Sequence, residues 1–276
     1  MRLGIFAKTF PRPTFAETLD AIASHGLRCV QFNFSCVGLS TLPEAIEPSI
    51  VSDVRKVCAA RGMEIAGISA TFNMIDPDVR NREQGLRRLA VLARASRGLG
   101  CELLTLCTGT RHPDDMWRGH PENSSAAAWS DLLHSMERAI EIAEQHDVFL
   151  GVEPETGNVV SSTRKARQLL DELHSPRVKI VVDPANLFHP GKVERMRETI
   201  EEVFQLVGTD IVMAHAKELS ADGTAGAVAP GRGVLDWNFY FDTLARMNFR
   251  GPIVMHGLSE NDVTNAVRFL RAKLPD

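Results

Sequence analysis

The sequence predicts a single domain folded as an eight-stranded parallel α/β barrel, on three observations. Eight short apolar runs rich in β-branched residues punctuate the chain, longer helical patterns separate them, and no glycine-rich phosphate loop follows the first run. The runs lie at Leu3 to Ala7, Cys29 to Phe34, Ile65 to Ala70, Leu103 to Cys107, Val148 to Glu153, Val178 to Asp183, Ile211 to His215 and Ile253 to His256. They are nearly continuous in apolar character, as a sheet covered on both faces requires. Between them, Trp129, Leu132, Leu133, Met136 and Ile140 share one helical stripe, as do Met196, Ile200, Val203 and Val207, so these helices can pack outside a barrel. Thr14 with Glu17 forms a capping-box pattern, and Ser259 with Asp262 is placed to cap the last helix. The arginines from Arg80 to Arg97 read as a solvated helix face, with Glu83 at pairing distance from Arg87. An open doubly wound sheet is the rival, but it usually carries a Gly-rich loop where this chain has KTFPRPTF. The expected architecture is a (β/α)8 TIM barrel in a single domain over residues 1–276.

Composition narrows the function. With 276 residues and 44% hydrophobic content, the chain can bury one large core, and no linker or low-complexity tract divides it. Thirty-one basic residues against 35 acidic ones give a net charge of −4, so there is no overall positive field to gather nucleic acid. Five cysteines, without CxxC or zinc-finger spacing, fit free thiols in a reducing compartment. The first apolar stretch is too short for a signal peptide and is interrupted by Pro11 and Pro13, and no run approaches a membrane span. The expectation is a soluble cytoplasmic protein with neither nucleic acid nor membrane as partner; a homo-oligomer is left open.

In a parallel barrel the C-terminal ends of the strands face one mouth, so residues far apart in sequence converge there. Four late strands end in metal-ligand types: GVEPE supplies Glu153, VVDPAN Asp183, MAHAKE His215 and IVMHG His256. Singly, each has a plainer reading as a helix cap, a surface ion pair or a locally bonded histidine. Together they are harder to explain so, because a carboxylate drawn into an enclosed mouth is costly unless paired or metal-bound.

The motifs VEPE, DPAN, HAKE and GRGVLDW, in this order, resemble those of the xylose-isomerase-like barrels of the sugar phosphate isomerases and epimerases, and the likeness runs over almost the whole chain. The resemblance implies that Glu153, Asp183 and His215 hold one divalent ion, Mn2+, Mg2+, Co2+ or Zn2+, among which a mixed carboxylate and imidazole set does not choose. Two positions depart from the pattern. His256 stands where a fourth ligand, usually glutamate, ends the last strand, and Asn186 stands where a substrate-contacting histidine is common. A symmetric two-glutamate epimerisation is therefore not implied, and His256 is a candidate both as ligand and as proton carrier.

Around the mouth, TGTRHPDDMWRGHPEN is too long and polar for a minimal connection, which makes Arg111, His112 and Trp117 candidates to clamp and cover a polar substrate, against a purely structural loop. ADGTAGAVAPGRGVLDW is glycine-rich and reads as mobile, with Arg232 able to reach a substrate oxygen or phosphate. Lys217, two residues beyond His215, is a candidate to stabilise developing enediolate charge, and Glu155 to orient a ligand. The leading expectation is an isomerase or epimerase of a ketose or related polyhydroxy carbonyl compound, working through an enediolate with Glu153 as ligand and base. A dehydratase of a keto-polyol would share the first half of that chemistry. An endonuclease-IV-like repair enzyme would need more histidines on the early strands, which end in ATFN and CTGT, and a non-catalytic sugar sensor is the remaining alternative.

Overall fold

The computed structural model of the chain describes residues 1–189, 191 and 193–275. The eight apolar runs become β1 (Arg2–Phe6), β2 (Cys29–Phe32), β3 (Glu64–Ser69), β4 (Leu103–Leu106), β5 (Phe149–Val152), β6 (Val178–Val182), β7 (Ile211–Ala216) and β8 (Pro252–Met255). All pair in parallel and in sequence order, and β1 closes on β8 with Leu3 opposite Ile253 and Ile5 opposite Met255. The helices α1 (Phe15–Ser24), α2 (Pro48–Ala60), α3 (Val79–Leu99), α4 (Ala126–His146), α5 (Thr163–Leu173), α6 (Met196–Val207), α7 (Trp237–Arg246) and α8 (Val263–Arg271) follow one strand each. This is the expected (β/α)8 barrel.

The core lies where strand and helix apolar faces meet. Leu132 and Met136 of α4 and Ile200, Val203 and Val207 of α6 are buried, so both anticipated stripes face the barrel. Inside the barrel, a methyl group on Gly67 would come within 2.8 Å of the Met213 side chain, and one on Gly151 within 2.8 Å of Val181, so these two glycines make room for larger neighbours on other strands. Register shifts occur at Val30/Gln31 between β2 and β3 and at Ile180/Val181 between β6 and β7, both a short step below the barrel mouth. Thr14 and Glu17 form the full reciprocal capping box of α1.

Three local expectations are corrected. Ser259 gives its hydroxyl to Asp262 and caps no backbone N–H of α8. Glu83 pairs with Arg138 on α4 instead of Arg87, because packing of α3 against α4 offers a partner across the groove. Arg82, likewise, is mostly covered and pairs with Asp131. The five cysteines are free, and burial pushes the Cys29 and Cys101 thiols up to about 12, which keeps them neutral.

The glycine-rich segment after β7 is anchored by a residue that the sequence reading passed over. Glu218 is fully buried. Its Oε1 accepts from the backbone N–H groups of Leu219 and Leu235, and its Oε2 from that of Gly231 and from the Trp237 indole N–H. Four donors satisfy one buried carboxylate, and the loop closes over it. Glu218→Ala should lower unfolding stability by roughly 3–5 kcal/mol in urea titrations, since it strands several buried donors, whereas Glu218→Gln should cost clearly less.

Candidate metal centre

Strand ends place the four ligand-type side chains. Glu153, Asp183 and His256 each stand one residue past β5, β6 and β8, and His215 lies within β7, opposite Val254. Each offers one ligand atom, and the four atoms all lie within 4.8 Å of one another. Asp183, like His215, has no solvent exposure. Its Oδ1 accepts from its own loop, at the Ala185 N–H (2.9 Å), which aims Oδ2 inward. There Oδ2 meets His256 Nε2 at 2.8 Å, His215 Nδ1 at 3.6 Å and Lys217 Nζ at 3.9 Å.

The buried His215 Nδ1 has no hydrogen-bond partner among the described residues. It faces two carboxylates at ion-pair distances, Glu153 Oε1 at 3.5 Å and Asp183 Oδ2 at 3.6 Å. Its other nitrogen, Nε2, lies 3.2 Å from Gln31 Oε1, and the Gln31 amide N–H groups are spent on Ser69 Oγ (3.1 Å) and Thr105 Oγ1 (3.0 Å). Gln31 must therefore accept from Nε2–H, which leaves the Nδ1 lone pair directed at the cluster. An unpartnered imidazole nitrogen between two carboxylates fits a divalent cation of the Mn2+, Mg2+, Co2+ or Zn2+ kind.

The electrostatics favour positive charge at the same spot. Burial pushes the His215 pKa down, but the Glu153 charge and the contacts to Asp183 outweigh it and lift the value to about 9. For Asp183, burial is outweighed by the Lys217 charge and by both histidines, so its carboxyl stays well below the usual range. His256 moves down, through burial and the neighbouring His215. A site that draws a proton between Glu153 and Asp183 would draw a divalent cation there in its place.

The centre forms one wall of a pocket of about 580 Å3 at the C-terminal mouth, lined by Phe6, Lys8, Gln31, Asn33, Thr71 and Trp117 among others, together with Glu153, Glu155, Asn186, Lys217 and His256. Asn186 links two of these groups, giving its amide N–H to Glu153 Oε1 (2.6 Å) and accepting from Lys217 Nζ (2.7 Å). Phe6 stacks on His256, with ring centroids 4.6 Å apart. Burial, followed by the Glu153 charge, raises the Glu155 pKa to about 7.

A scan of family models matches residues 19–273 to the xylose isomerase-like TIM barrel. The chain belongs to this family. No curated protein matches it significantly in sequence. Among solved structures, it is similar to the 3-keto-D-glucoside 4-epimerase of E. coli in its apo form (15% identity over 99% of each chain, TM-score 0.78). It is also similar to the probable 3-DHS dehydratase of Bacillus anthracis (13% identity, 98% of this chain and 99% of that one, TM-score 0.77) and to the IOLI protein with a bound zinc atom (13% identity, all of both chains, TM-score 0.74). At such identities the likeness is one of fold.

Within this xylose isomerase-like barrel, three expected substrate contacts are placed elsewhere. The Arg111 guanidinium is directed under the loop, to Ile75 O and to an ion pair with Asp131 on α4. His112 uses Nδ1 to accept from the Asp114 and Asp115 N–H groups, and Arg232 is tied to Asp262 at 2.8 Å. In each case a partner close in the fold satisfied a group that sequence alone showed only as polar. Trp117 does line the pocket, with 52% of its surface exposed. Lys8, Asn33, Gln31 and Thr71 were missed, although Gln31 is visible as the one amide in the otherwise apolar run CVQF, and a polar residue there needs a partner.

Two outcomes follow from this geometry. Gln31→Leu should weaken zinc or manganese binding by roughly 10–100-fold in isothermal titration, because His215 loses the acceptor that sets its tautomer; an unchanged affinity would show that Gln31 only fills space. Arg111→Ala should lower stability by about 1–2 kcal/mol and leave ligand affinity unaltered, since its partners are structural.

Proposed function

We propose that the chain is a divalent-metal-dependent isomerase or epimerase of a ketose or a related polyhydroxy carbonyl compound. The convergence of Glu153, Asp183, His215 and His256 beside a polar pocket carries this reading, and membership of the xylose isomerase-like family supports it. A bound ion would supply a Lewis acid for a carbonyl oxygen and a neighbouring hydroxyl, acidifying the C–H bond between them.

Glu153 is the residue placed to take the proton. It lines the pocket, its hydrogen bond from Asn186 falls on Oε1, and Oε2 carries none among the described residues. Asn186 thereby fixes the carboxylate's rotation and holds the Lys217 ammonium alongside it at the pocket wall. His256, braced against Phe6, is the group placed to return or relay a proton, since imidazole titrates close to neutrality. Trp117 at the rim restricts the entry of water.

Dehydration is a second reading, favoured by one observation: β8 delivers an imidazole, so the groups beside the substrate are unlike, and His256 could hand a proton to a departing hydroxyl. One experiment tests both. Manganese- or zinc-loaded protein is incubated with a ketose panel in deuterated water and followed by NMR. Deuterium at the carbon beside the carbonyl is the expected result, loss of water from that carbon's neighbour would favour the dehydratase, and no exchange with any substrate would sink the common first step.

Glu153→Gln keeps an oxygen for the ion and removes the base. Exchange should fall by roughly a hundredfold or more with the metal largely retained, and full activity in this variant would overturn the assignment of Glu153.

A further inference from the structure

The charges facing the pocket do not balance once a cation is bound. Glu153 and Asp183 together match a divalent ion. Lys217 is only 15% exposed, and its ammonium has the Asn186 carbonyl oxygen at 2.7 Å and Asp183 Oδ2 at 3.9 Å. Its counter-ion is therefore a carboxylate whose charge the metal would take up. Lys8, two residues past β1, makes no ion pair among the described residues, and its Nζ lies 5.5 Å from the centroid of Phe6, the ring that stacks on His256. Against these two ammoniums the lining offers one further acid, Glu155. The largely covered Lys217 calls for a partner once the metal takes up the Asp183 charge, and the more exposed Lys8 lines the same pocket.

The placement of the charges is as uneven as their number. In the closed order of strands, Lys217 follows β7, His256 follows β8 and Lys8 follows β1, so the cations bound one arc of the mouth. Glu153 and Glu155 come from β5, which faces β1 across the ring. A ligand whose carbonyl end sits at the metal ligands can lay an anionic end along the β7 to β1 arc. Asn33 and Thr71 add neutral polar groups for hydroxyls.

We infer that the substrate carries a carboxylate bound by Lys8 and Lys217, and is thus a keto sugar acid and not a neutral ketose. This rests on the metal-dependent isomerase reading. A single carboxylate can accept from both ammoniums. A phosphate dianion is commonly met by the forked N–H groups of arginine, and no arginine lines the pocket: Arg111 is held by Asp131, Arg232 by Asp262, and Arg118 lies exposed on its loop outside the lining.

The test uses three probes that differ only at carbon 6: D-fructose, D-fructuronate and D-fructose 6-phosphate, each titrated into zinc-loaded protein. Fructuronate should bind at least about tenfold more tightly than fructose, with the gap narrowing as salt is added. Lys8→Gln should reduce that gap to about twofold and Lys8→Arg should restore most of it, while zinc affinity, measured separately, stays unchanged in both. Equal binding of fructose and fructuronate, tighter binding of the phosphate, no binding of fructuronate, or a preference untouched by Lys8→Gln would each overturn the inference. Deuterium exchange with neutral fructose in the absence of any anion preference would sink this inference and leave the isomerase reading standing. Absence of exchange with all three probes, despite tight fructuronate binding, would instead sink the isomerase reading.

Discussion

The burial of Asp183 is the constraint on which the rest of the site depends. A carboxylate with no access to water is tolerated only where cations or N–H donors replace the solvent. Here the Ala185 amide in its own loop and His256 from β8 lie at hydrogen-bond distance, while His215 from β7 and the Lys217 ammonium just beyond it stand at ion-pair distance. None is near Asp183 in sequence except the first. Closure of the barrel is thus a condition for this charge to exist in ionised form, and the charge in turn fixes where a metal cation gains most.

The polar groups form a connected layer between the mouth and the apolar barrel interior. His215 leans on Gln31, which is itself held by Ser69 and Thr105 of the neighbouring strands. Behind it, the Tyr240 hydroxyl donates to the His215 carbonyl, and burial followed by the Asp183 charge keeps that hydroxyl protonated. Asn186 ties Glu153 to Lys217 on the other side. Each of the four ligand-type side chains is oriented by a neighbouring residue. Such support is what allows a site to bind a metal without reorganising first.

The same logic extends to how the two mouth loops are anchored. Asn123 and Asn73 pin the start of the loop after β4, through Thr110, Arg111 N and the carbonyl of Gly157. Glu218 pins the loop after β7. Charged side chains expected to reach a substrate were spent instead on neighbouring helices, leaving Lys8 and Lys217 as the cations of the pocket. The loop after β4, anchored in this way, adds Met116 and Trp117 to the pocket wall, beside the few charges that face it.

By itself, the sequence determined the barrel and the four ligand types, because both are written in local patterns: apolar runs repeating with intervening helical stripes, and Glu153, Asp183, His215 and His256 each at a strand's C-terminal end. Parallel pairing leaves those ends nowhere to go but one mouth. Only the tertiary structure decided the partners. Whether Arg111 points at a substrate or at Asp131, whether Glu83 meets Arg87 or Arg138, and which nitrogen of His215 Gln31 engages are set by side-chain directions between elements far apart in the chain. An ion pair or hydrogen bond forms with whatever lies within about 3 Å, and that neighbour exists only after the helices have packed and the barrel has closed.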